Sequence, residues 1–226
     1  MIMKLVYWLL NWLFPPKCVL CGQILDKEET DLCGHCRAHA PECPVSKNKY
    51  RYIDQWTALW YYEGNVRHSL LRYKFHNRRS YADSYAMLLA MKLMREDRLH
   101  FDVITWIPIS RRRLRKRGYD QVQLLAEKLG KELGMEPVCT LRKVRHNRQQ
   151  SRIVGDAHRI ANVLGAYEAM NLSRIAGQRV LLLDDIITTG ATASECAKVL
   201  QTAGAAQVQF AAVAAANKKR TDRGSL

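Results

Sequence analysis

A chain of 226 residues is long enough for one α/β domain with a sizeable core and a small appendage, and an apolar content of 48% excludes wholesale disorder. The 36 Lys and Arg against 21 Asp and Glu leave a formal charge of +15, a field that attracts phosphates, nucleic acid or an acidic membrane surface and says nothing about fold. Seven cysteines, an odd count grouped in pairs near one end, exclude a secreted disulfide framework and lead us to expect a reduced, cytoplasmic setting.

In chain order, residues 1–16 form an apolar lead that Pro15 and Pro16 close. Its run of about ten apolar positions is too short to span a bilayer, so a docking helix is expected, without stable membrane insertion. Residues 17–50 are rich in Cys, Gly and acids with little apolar periodicity, and cannot build a core alone. The main domain is expected over 51–216, followed by a basic tail, 217–226. Within it, 55–62 reads as a strand, 66–75 and 80–97 as helices, and 102–107 as a short buried strand closed by Pro108. Val122, Leu125, Leu129 and Leu133 carry the helical period over 119–134, which Gly134 ends. Residues 138–141 read as a strand and 145–158 as a mobile basic loop. A wholly apolar strand over 180–183, a helix over 193–200 and another buried strand over 208–213 complete the domain. Apolar strands separated by helices imply a parallel sheet with helices on both faces.

Three segments carry chemistry. The first is Val180-Leu-Leu-Leu-Asp184-Asp185-Ile186-Ile-Thr188-Thr189-Gly190-Ala191-Thr192. A buried strand delivers two carboxylates where open α/β sheets bind ligands, beyond the strand's carboxyl end. The glycine turn that follows opens a helix whose free amides favour an anion, and Gly190 lets the chain turn tightly and approach a ligand. Two bare neighbouring carboxylates repel, so they suit a sugar diol or a nearby Mg²⁺.

The second segment pairs Cys18 and Cys21 with Cys33 and Cys36, two C-x-x-C turns that supply the tetrahedral sulfur set of a structural zinc. A redox pair is the rival, and His35, His39 and Cys43 are nearby substitute ligands. Cys139 in a strand and Cys196 on a helix's apolar side read as packed thiols.

The third is the loop from Pro108 to Gln121, dense in cations at a strand's carboxyl end. Ser110, Arg112, Arg113, Arg117 and Gln121 are its candidates for contact with pyrophosphate or nucleic acid; a solvated positive face is the plain alternative. The second basic stretch, 142–159, is expected to cover the site.

The thirteen residues from Val180 to Thr192 closely resemble the PRPP (phosphoribosyl pyrophosphate) signature of type I phosphoribosyltransferases. The resemblance implies that Asp184 and Asp185 hold the ribose 2′ and 3′ hydroxyls, with Mg²⁺ accompanying PRPP, and that residues 188–192 take the 5′-phosphate. The whole chain resembles the ComF family of phosphoribosyltransferase-like proteins. The likeness rests on Pro-Pro-x-Cys-x-x-Cys, Tyr62-Glu-Gly64, Tyr73-Lys-Phe75, Ile107-Pro108, Arg113, Arg117-Gly118, Gln121, Arg159, Asn162 and the PRPP loop. Tyr119-Asp120 stands where Phe-Asn is commoner. The family implies a type I phosphoribosyltransferase α/β fold behind a zinc knuckle. It also implies a role in natural transformation, handling incoming single-stranded DNA beside a helicase partner. A working phosphoribosyltransferase, and a PRPP sensor linked to gluconate utilisation, are the alternatives it carries.

Overall fold

The computed structural model of the chain describes residues 15–45, 50–144 and 165–217. The N-terminal lead, the loop expected over 145–158, Arg159, Asn162 and most of the basic tail lie outside the described residues. Among those described, no helix is long and apolar enough to cross a membrane.

The elements are α1 (Gly34–His39), β1 (Gln55–Tyr61), α2 (Gly64–Phe75), α3 (Tyr81–Arg95), β2 (Val103–Trp106), α4 (Arg111–Arg117), α5 (Gln121–Leu133), β3 (Leu141–Lys143), β4 (Tyr167–Ala169), β5 (Arg179–Ile187), α6 (Ala191–Thr202) and β6 (Gln207–Ala215). Four strands form a parallel sheet in the order β1-β6-β5-β2, and β3 and β4 form a separate antiparallel ribbon. Alternate side chains of the central strands feed two cores. Leu181, Leu183, Ala211 and Val213 meet α2, α3 and α5 on one face, whereas Val180, Leu182, Phe210 and Ala212 meet α6 and the ribbon on the other. Burial on both faces is why these strands are apolar throughout.

Four expectations need correction. The strand expected over 180–183 continues to Ile187, because β6 keeps pairing through Ile187 and Ala215. Asp184 and Asp185 therefore lie within β5 rather than after it. The strand expected over 138–141 begins only at Leu141. Residues 138–140 run beside β2 but are tied by Val138 N–H to Ile104 O (2.8 Å) and by the Thr105 and Thr140 hydroxyls (2.6 Å), which replace a backbone ladder. Cys139, accordingly, is not in a strand. The basic loop after Pro108 contains helix α4: the Ser110 hydroxyl accepts from Arg113 N–H, Arg and Lys favour helix, and Gly118 (φ +77°) closes it in the left-handed region.

Residues 15–45 do not stand apart. Val19, Leu20, Leu25 and Leu32 share the core of α2 and α3, and Arg72 donates to Leu20 O at 2.5 Å. The exit strap covers the open edge of β1, with Cys43 N–H on Leu59 O and Tyr61 N–H on Pro41 O. Beneath it lies Lys92, only 5% exposed, donating to Glu42 (3.1 Å) and Cys43 O (2.7 Å) and paired with buried Glu96 (3.3 Å). Replacing Lys92 with Met leaves the Glu96 carboxylate, its side chain 6% exposed, without its cation and with the Thr57 hydroxyl as its remaining partner. We expect a loss of about 3 kcal/mol in urea denaturation; an unchanged midpoint would show that the latch carries no stability.

Candidate functional site

The first candidate site grows from a mismatch in strand length. β2 pairs with β5 only as far as Trp106 and Leu183, and the last bond on that side runs from Ile107 N–H to Leu183 O (2.9 Å). Pro108 follows, with no N–H to continue the ladder. From Asp184 onward no strand among the described residues lies on the β2 side of β5. The Asp185 amide there donates to the Asp184 carboxylate at 2.7 Å.

The two carboxylates have different surroundings. Asp185 is 6% exposed and both of its oxygens are engaged: Oδ1 by Lys74 Nζ from α2 (2.8 Å), Oδ2 by Gln121 Nε2 from the start of α5 (2.7 Å). Asp184 is partly open to solvent. Burial by the surrounding protein, and then the charge of Asp185, raise its carboxyl well above the ordinary range. It shares its locality with Lys143 and Tyr167 of the ribbon and with Cys196 of α6, all of which feel its charge.

After Ile187, Thr188 is exposed, Thr189 is half-buried and Gly190 turns the chain at φ +80° into α6. Among the described residues, the backbone N–H groups of Thr188, Thr189, Gly190 and Thr192 meet no acceptor, and only the Ala191 amide is engaged, by the Thr189 hydroxyl at 3.4 Å. A helix start with free amides favours an anion. Gly190 is required for a second reason besides its φ: a Cβ there would collide with the Tyr50 ring. The close approach that this glycine permits is thus made by the protein's own tyrosine.

Five residues of the basic segment were expected at this rim. Ser110 caps α4. Arg112 is exposed. Arg113 is also exposed, and its positive charge bears on Lys143, Tyr167 and Arg117. Arg117 is half-buried, its guanidinium 4.9 Å above the Phe75 ring and near Asp185. Gln121 is 3% exposed and belongs to the support of Asp185. Tyr119 and Asp120 have structural work: Tyr119 OH donates to Tyr73 O, and Asp120 accepts from Val122 and Gln123 to cap α5 and from Ile109 to anchor the preceding turn. Lys74, Lys143 and Tyr50 were given no role from the sequence. Lys74 is 111 positions from its partner, a separation that no local pattern reports.

The metal site is in residues 18–36. Gly22 (φ +82°) and the bonds Gly22 N–H to Cys18 O and Cys18 N–H to Gln23 O curl the first cysteine pair. Cys33 caps α1, its sulfur accepting from Cys36 N–H. The four sulfurs of Cys18, Cys21, Cys33 and Cys36 lie within 4.8 Å of one another, and those of Cys21 and Cys33 are 3.7 Å apart. A tetrahedron with Zn–S arms of about 2.3 Å has edges of roughly 3.8 Å, so the set fits zinc with no open position. Burial alone would raise the Cys18 thiol, but amides directed at it outweigh that and bring it to about 7. His35 and His39 are exposed and stack on each other, and Cys43 is buried in the other core; none joins the set.

Comparison with known proteins agrees with this architecture. A double zinc ribbon domain matches residues 9–47 and a phosphoribosyl transferase domain matches residues 115–224. Competence protein F of Haemophilus influenzae is 27% identical, covering 78% of this chain and 81% of its own. Competence protein ComFC of Streptococcus pneumoniae is 28% identical, covering 85% and 97%. DNA utilization protein YhgH of Escherichia coli is 28% identical, covering 60% and 61%. Among solved structures, the allosteric regulatory enzyme of purine biosynthesis matches with a TM-score of 0.41 at 21% identity, over 62% of this chain and 29% of that one. A zinc ribbon with four clustered cysteines, a phosphoribosyl transferase domain and relatives matching along most of its length make this chain similar to the ComF-type competence proteins.

Proposed function

We propose that this chain binds PRPP at the carboxyl edge of its parallel sheet and serves DNA uptake in the cytoplasm, handling incoming single-stranded DNA. The observation that carries the PRPP reading is the turn from Thr188 to Thr192, where among the described residues every amide but that of Ala191 stands free at the head of α6, with a partly open acid, Asp184, beside them. A phosphate monoester fits the amides and threonine hydroxyls, and a sugar hydroxyl fits the acid. The cations near that edge, Arg113 and Lys143, favour the pyrophosphate end of the ligand. PRPP enters with Mg²⁺, which neutralises part of its charge, and Asp184 is the acid open to that ion. The domain division at residues 50 and 51 is proposed in the same terms.

The DNA half rests on α4 and on the names of the relatives. Six of its seven residues are Arg or Lys, and Arg111, Arg112, Arg113, Arg115 and Lys116 are exposed. This gives one short helix a dense face for phosphates. The relatives are named for competence and for DNA utilization, which supports a role in handling DNA. A helicase that delivers the incoming strand is the partner of this role.

Three measurements follow. Calorimetry with PRPP and Mg²⁺ should detect binding, and changing Thr188 and Thr189 together to Ala should weaken it by about tenfold or more, since each lost bond to a charged oxygen is worth about 1.5 kcal/mol. An unchanged isotherm would remove the turn from the site, and pyrophosphate release in the same samples reads turnover. For single-stranded DNA, replacing Arg111, Arg112 and Arg115 with Ala should reduce the slope of log K against log salt by about 2; an unaltered slope would place the strand elsewhere. Finally, zinc removal or Cys21→Ser should unfold residues 17–45 and lower the thermal midpoint, whereas full metal content in the variant would contradict the four-sulfur set.

A further inference from the structure

The last turn of α2 sends Tyr73 into the core and Lys74 onto Asp185, and one further helical step of about 100° carries Phe75 outward. Its side chain is 59% exposed, and among the described residues it is the only exposed Phe, Tyr or Trp ring. A single apolar side chain on a surface needs no explanation by itself. The neighbours of this one give it a meaning. Arg117 of α4 lies over the ring, its guanidinium carbon 4.9 Å from the centroid. Arg79 lies over Tyr119 at 4.7 Å and donates to Asn77 Oδ1 at 2.9 Å, and a Cβ on Gly118 would meet the Arg79 guanidinium at 3.6 Å. These contacts set the loop after α2 against the carboxyl end of α4 and merge two basic segments into one surface. His76, Arg78 and Arg79 are exposed, as are the α4 cations other than half-buried Arg117, and no Asp or Glu occurs in 75–80 or 110–119.

We infer that Phe75 is a stacking platform for an unpaired base, set in a basic surface of residues 76–79 and α4 that carries the flanking phosphates. This rests on the proposed handling of single-stranded DNA and deepens it by giving the strand a place on the fold. Cations alone serve a duplex or an acidic membrane, since the bases of a duplex are stacked on one another and a lipid headgroup has no flat face. A single strand presents phosphates and open base faces together, and a ring among arginines answers both. Arg117 fixes the ring from one side, and the exposure of Phe75 leaves the rest of it to a base. Every base has such a face, so the platform holds a strand without reading its sequence. Lys74 and Phe75, adjacent in the chain, thus serve different sites: the lysine is committed inward to Asp185, and the ring is turned to solvent.

Fluorescence anisotropy on the full-length, zinc-loaded chain decides the matter with three labelled probes: an oligothymidylate, the same backbone with abasic sites in place of its bases, and a duplex of equal length. The parent should bind the oligothymidylate about tenfold more tightly than the abasic strand. Phe75→Leu, which keeps the side chain apolar, should remove that preference, weakening the oligothymidylate about tenfold with the slope of log K against log salt unchanged. It should leave the abasic strand and the duplex within about twofold of the parent, and Phe75→Tyr should keep the parent's affinity for all three. Changing Arg78 and Arg79 together to Ala should weaken both single strands alike and lower their slope by about 1.4. Full affinity of Phe75→Leu for the oligothymidylate, or an equal loss on the abasic strand, would overturn the platform. Should Phe75→Leu fail to fold, the parent's own comparison of the two strands still decides, equal affinities counting against stacking. A parent that binds none of the probes removes the DNA reading and the platform with it, whereas one that binds but ignores the ring at 75 removes the platform alone.

Discussion

The fold around the ligand edge depends on one cost: a carboxylate, Asp185, placed in a buried strand. Ionised and unpaired there, it would be worth several kcal/mol against folding. The protein meets this with two helix termini brought to the same point. Lys74 comes from the last turn of α2 and Gln121 from the first residue of α5. Those termini are themselves pinned, by Tyr73 and Tyr119 on one side and by the Asp120 cap on the other. The Tyr73-Lys74-Phe75 and Arg117-Gly118 motifs, distant in sequence from the acids, thus converge on their support.

The second organising feature is that β2 is shorter than β5. Pro108 ends the ladder, Ser110 starts α4, and the basic helix is set down at the rim where β5 runs on paired with β6 only. Strand ends of unequal length create a ledge, and the ledge carries Asp184 and the threonine turn, with Lys143 of the ribbon within reach of the Asp184 charge. Among the described residues Asp184 has no cation bonded to it there, an arrangement that suits a ligand with an anionic phosphate and a hydroxyl-bearing sugar.

The zinc ribbon takes part in the same scaffold. Its residues share the core against α2 and α3, its exit strap covers the edge of β1, and Lys92 joins the strap to α3. Metal binding therefore reaches the α2 terminus that bears Lys74, through Ser69 and Arg72, which donate to Val19 O and Leu20 O. A segment too polar for its own core is ordered by four sulfurs and by a borrowed hydrophobic face.

The sequence alone determined the parallel α/β architecture, the two cysteine turns and the acid-threonine-glycine segment. Each is written in a local pattern: apolar runs between helical periods, C-x-x-C spacing, a contiguous motif. It also placed the helix at 119–134 and its glycine stop. It did not determine where β5 ends, since Asp184 and Asp185 read as loop residues and only pairing with β6 keeps them in the strand. Nor did it reveal that the cation-rich loop is a capped helix, because repulsion among neighbouring cations masked good helix formers between Ser110 and Gly118. The different fates of the two adjacent acids were decided only by tertiary structure. Which carboxylate is buried, and which lysine finds it from 111 residues away, follows from how helices pack on the two faces of a sheet, and two identical letters in a row carry no trace of that.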